Sequence, residues 1–95
     1  MLNKKEFSKR LSKVSVNVLR TLIPALGLHK RNEQILILKY VEQRGLWDIA
    51  EKMAVTYESA SNLLCISREE MQRHMVEDYD ILPKDIQILV DKILK

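Results

Sequence analysis

Apolar residues in this chain recur at helical intervals rather than in alternation. Phe7, Leu11, Val14, Val18 and Leu22 fall three or four residues apart, which predicts one amphipathic helix over 4–22. Pro24 and Gly27 interrupt the pattern, so 23–30 reads as a connector. The run Ile35, Leu36, Ile37, Leu38 fits a strand in isolation. Its flanks, R-N-E-Q and K-Y-V-E-Q-R, are strong helix formers and predict a central helix over 30–44 stopped by Gly45. Ile49, Ala50 and Met53 mark a short third helix over 46–53. Ala60, Leu63, Leu64, Ser67, Met71 and Met75 mark a long fourth over 57–75. An acidic turn at 77–80 and Pro83 lead into a fifth, with Ile86, Leu89, Val90, Ile93 and Leu94 on one face.

The segment 48–64, D-I-A-E-K-M-A-V-T-Y-E-S-A-S-N-L-L, is the most informative. Two apolar stripes flank Val55, Thr56 stands where a helix N-cap belongs, and the small Ala50 permits a close crossing. This is the pattern of a helix-turn-helix, whose second helix normally enters the DNA major groove. With only two glycines and two prolines in 95 residues, a sheet has too few turn residues. The expected fold is all-α: about five helices forming a small bundle around a helix-turn-helix. One domain spans 1–95, with a basic amphipathic helix at 4–22, the helix-turn-helix core at 30–75 and a C-terminal amphipathic helix at 83–94.

Charge is unevenly distributed. Residues 1–31 carry eight Lys or Arg against Glu6, a net of +7, whereas 32–95 carry a net of −4. A basic first third suits a polyanion. The N-terminal apolar stretch is broken by Asn17, Arg20 and Pro24, so neither a secretory signal nor a membrane span is expected. The one cysteine, Cys65, excludes an internal disulfide and reads as a packed thiol in a reducing, cytoplasmic setting. His29 and His74 lack ligand-spaced partners, and Tyr40 and Trp47 read as core or rim packing residues. No phosphate loop, nucleophile motif or zinc spacing occurs, so no enzyme, cofactor or metal is expected.

From Leu28 to Met71 the chain resembles region four of bacterial RNA polymerase sigma factors and the small stand-alone regulators, many carried by phages, that contain only that region. The resemblance rests on Glu33 and Gln34 before the aliphatic run, Tyr40 after it, the I-A-E helix at 48–53, Val55, and the hydroxyl cap at Thr56. It implies a DNA-binding fold with its recognition helix starting at Tyr57. Three positions depart from the family pattern. Ala54 replaces the usual turn glycine, and Ala60 replaces a branched aliphatic. Arg or Lys is missing from the first turns of the recognition helix.

The expected function is a DNA-binding, transcription-regulator-like protein. Tyr57, Glu58, Ser59, Ser61, Asn62 and Arg68 are the expected recognition residues. Asn reads adenine through two hydrogen bonds, and Ser reaches phosphates or base edges. Lys30, Arg31, Arg44 and Lys52 are the phosphate candidates, with Lys39 and the basic face of the first helix as further sources of affinity. The alternative is a protein-interaction module of the same fold, docking on RNA polymerase or acting in phage assembly. The fifth helix either closes the core or forms a homodimer, since such readers often pair to match two half-sites.

Overall fold

A computed structural model describes residues 2–95, and every described element is helical. The described residues form six α-helices: α1 (Lys4–Lys13), α2 (Val16–Ala25), α3 (Lys30–Leu36), α4 (Leu46–Lys52), α5 (Tyr57–Glu77) and α6 (Lys84–Leu94). A π-helical turn (Ile37–Val41) extends α3, and a 3-10 turn (Tyr79–Ile81) follows α5.

The extra helix comes from a break in the expected 4–22 helix. Val14 and Ser15 are extended, and the Ser15 hydroxyl caps α2 by accepting from the Val18 N–H at 3.3 Å. The apolar face changes phase at this break. Phe7 and Leu11 are buried on α1, whereas α2 buries Leu19, Leu22 and Ile23 and leaves Val14 and Val18 half-buried. The connector is also shorter than expected, because α2 continues through Pro24. That proline sits in the last turn, where its missing N–H removes a single helical bond. Gly27, at φ +67°, then turns the chain.

The central helix is where the sequence places it, but it ends differently. The Glu42 N–H reaches back to the Ile37 carbonyl at 2.9 Å, a five-residue return that widens the last turn. Leu38 and Tyr40 are both buried there. Gln43 takes the left-handed conformation at φ +55°, and Gly45 serves as the N-cap of α4 instead of a stop for the preceding helix.

Twenty buried apolar side chains drawn from every α-helix form one cluster. The α3 helix and its π turn pack against α2, α4 and α5, while α1 lies against α5 and α6. Phe7 and Leu11 anchor α1, the Arg10 guanidinium donates to the Ile93 carbonyl at 3.0 Å, and Lys4 pairs with Glu69. The basic N-terminal helix is thus docked on the other helices. Ile86, Val90 and Ile93 of α6 face the same core, with Leu89 and Leu94 packed at its margin. No described helix is long and apolar enough to cross a membrane.

Candidate nucleic-acid interface

Helices α4 and α5 are joined by four residues, Met53 to Thr56. The turn is closed by the Val55 N–H donating to the Ala50 carbonyl at 3.0 Å. It requires a left-handed residue, and Ala54 supplies it at φ +56°. A Cβ disfavours that conformation by about 1–2 kcal/mol, so Ala54 carries strain here. Ala50 and Ala60 are buried where α4 and α5 meet, and a larger side chain at either would separate the helices.

Thr56 caps α5, its hydroxyl oxygen accepting from the Ser59 N–H at 3.0 Å. The Ser59 hydroxyl lies 3.0 Å from the same oxygen, which ties Ser59 into the cap. Glu58, Ser61 and Asn62 are exposed and stand three and four residues apart, so they share one helix face. Tyr57 is 41% exposed. Its ring stacks at a tilt on Trp47 of α4, with centroids 4.4 Å apart.

Trp47 is the largest departure from the sequence expectation of packing. It is 74% exposed, whereas Tyr40 is buried as expected. Period and composition gave no sign of the difference, because Trp47 directly precedes the I-A-E helix and looks like its first apolar anchor.

Two expected contact residues are committed elsewhere. Arg68 lies on the same flank of α5 as Ser61, roughly 10 Å further along the axis. It is half-buried, and its guanidinium donates to the Tyr40 hydroxyl at 3.0 Å. Arg44 spans Glu42 at 2.8 Å and Asp48 at 2.7 Å. Hydrogen bonds to Asp48 and then Glu42 raise its pKa, and two carboxylates neutralise its charge. Lys30, Arg31 and Lys52 are exposed, the first two in the opening turn of α3.

That end of α3 is fixed to α5 by Glu70. Its carboxylate accepts from the His29 N–H at 3.2 Å and from the Asn32 side-chain amide at 3.0 Å. Burial pushes the Glu70 pKa up. The bonds from Asn32 and His29, with the nearby His74 and Arg73, outweigh it and leave the group below its ordinary value. The α5 helix thereby holds the Lys30–Arg31 end in place through a charged group.

The chain from Glu42 to Asn62 carries four acids, Glu42, Asp48, Glu51 and Glu58, against Arg44 and Lys52. The face is polar and aromatic, with little positive charge. No group of His, Cys, Asp and Glu suited to a metal ion occurs among the described residues. No family model, curated protein or solved structure matches this chain.

Proposed function

We propose that α4, the Ala54 turn and α5 act as a helix-turn-helix in a small DNA-binding regulator of the sigma region-four-like type. The first turns of α5 enter the major groove of duplex DNA. The observation that carries this reading is the free face of Glu58, Ser61 and Asn62, presented at the capped start of a 21-residue helix beside a tight turn. Asn62 supplies the two-bond geometry that reads adenine, Ser61 reaches a neighbouring base edge or phosphate, and Glu58 accepts from cytosine. Lys30, Arg31 and Lys52 contact phosphates, which position the protein without reading sequence. Arg44 and Arg68 hold the scaffold through their bonds to Asp48 and Tyr40.

The test is selection of a preferred duplex from a random pool, followed by fluorescence anisotropy. The double variant Ser61→Ala, Asn62→Ala is expected to weaken binding to the selected duplex roughly ten- to hundredfold. Binding to random duplex should hardly change. Equal affinities of wild type and variant for the selected duplex reject the recognition role.

The exposed Trp47–Tyr57 pair and the acidic balance around it favour a second reading. Aromatic side chains of this kind anchor protein interfaces. In that reading the same face docks on a protein such as RNA polymerase or a phage assembly component. Trp47→Ala separates the two: it disrupts a protein complex and leaves the preference for a selected duplex intact.

A further inference from the structure

We infer that a basic seam built by α1, α6 and the end of the α3 extension, from residues other than those of the recognition face, holds the phosphate backbone of the same duplex. This rests on the DNA-binding reading and supplies what the recognition face lacks, positive charge.

The seam consists of two adjoining open grooves that share Val14. Arg10, Lys13, Lys92 and Lys95 line the first, where the end of α1 meets the end of α6. Lys39 and Arg44 line the second, with Ser12 and Gln43 as neutral hydrogen-bonding neighbours. No carboxylate side chain lines either groove. Arg10, Arg44 and Lys95 are partnered by Glu6, by Glu42 and Asp48, and by Asp91. Lys13, Lys39 and Lys92 have no acidic side chain within 4.0 Å among the described residues. These three lysines come from distant parts of the chain. The bond from Arg10 to the Ile93 carbonyl and the burial of Phe7 and Leu11 bring the first and last helices together.

A row of uncompensated cations along a groove is the charge complement of a phosphate strand. The seam also leads toward the recognition face. Arg44 at its far end binds Asp48 in the first turn of α4, next to Trp47. An anionic membrane offers similar charge, but interfacial binding also needs apolar side chains to bury. The exposed large apolar residues Trp47, Tyr57, Ile66, Val76, Ile81 and Ile88 line neither groove.

The experiment compares two triple variants of the full chain by anisotropy with a random 20-base-pair duplex across a salt series. One carries Lys13→Gln, Lys39→Gln and Lys92→Gln. The other, matched in charge, carries Arg20→Gln, Arg73→Gln and Lys84→Gln, none of which lines the grooves. Thermal melts establish that both remain folded. Each phosphate contact contributes about 0.9 to the slope of log affinity against log salt. The seam variant is expected to lose about 2 to 3 from that slope and at least tenfold in low-salt affinity. The matched variant should lose less than about 1. Equal losses in the two variants, or an unchanged slope in the seam variant, overturn the seam and leave the recognition face standing. No duplex binding by wild type at low salt overturns the seam and the DNA reading together. Co-sedimentation of wild type with phosphatidylserine vesicles in the absence of duplex binding assigns the seam to membranes and likewise overturns it.

Discussion

The start of α5 and the seam that runs between α1, α6 and the α3 extension differ in nearly every property relevant to binding. The first presents Tyr57, Glu58, Ser61 and Asn62 from consecutive turns of one helix, next to an exposed Trp47. Its hydrogen-bonding groups are sequence-neighbours, and its local charge is acidic. The second collects lysines from positions 13, 39 and 92 and has no acidic lining. In the inference that the seam holds the same duplex, the first region reads and the second holds. Base-edge contacts carry sequence information, while phosphate contacts carry most of the salt-dependent affinity. A recognition helix poor in arginine is then no obstacle to DNA binding, provided the charge lies elsewhere on the same molecule.

Detaching α1 is the most direct way to break this division. Phe7 is almost fully buried between α1 and the remaining helices. Phe7→Ala is expected to lower unfolding stability by about 3–5 kcal/mol in urea titrations. It should flatten the salt dependence of duplex binding as the seam comes apart. A loss below about 1 kcal/mol would mean that the core does not depend on α1.

Ala54→Gly sharpens the comparison from the other side, because it relaxes the turn that sets α4 against α5. Relief of the left-handed strain, reduced by the extra freedom glycine has when unfolded, should stabilise the protein by about 0.5–1 kcal/mol. In a domain of this size that raises Tm by roughly 3–8 °C. A lower Tm would mean that the Ala54 conformation is unstrained. The smallest effect is expected at Glu58. Glu58→Gln removes a negative charge from the reading face and should raise low-salt duplex affinity roughly threefold, with the gain disappearing as salt screens it. An unchanged affinity would place Glu58 away from the phosphates.

The stripe of α5 and the face of α6 were legible because a 3.6-residue period survives along their whole length. Thr56 was legible as a cap because its hydroxyl acts within three residues of itself. The break at Ser15 was not, since Val14 and Val18 continue the sequence spacing of Phe7 and Leu11 even though the buried face shifts to Leu19, Leu22 and Ile23 beyond it. A serine hydroxyl and the docking of α1 on α6 outweighed that continuity. The candidate site was read unevenly for the same reason. Glu58, Ser61 and Asn62 follow from helix phase. The commitment of Arg44 to Asp48 and of Arg68 to Tyr40 depends on long side chains reaching partners that periodicity does not rank.

Local chemistry along the chain was sufficient to specify helical elements, the inward faces of α5 and α6 and the cap at Thr56. Each of these depends on groups within about one turn of each other. Packing alone decided which cations remain unpaired, that Trp47 stands in solvent while Tyr40 is buried, and that Lys13, Lys39 and Lys92 share one seam. Charges and aromatic rings act through space, and their neighbours are assigned only when helices from opposite ends of the chain close on a common core.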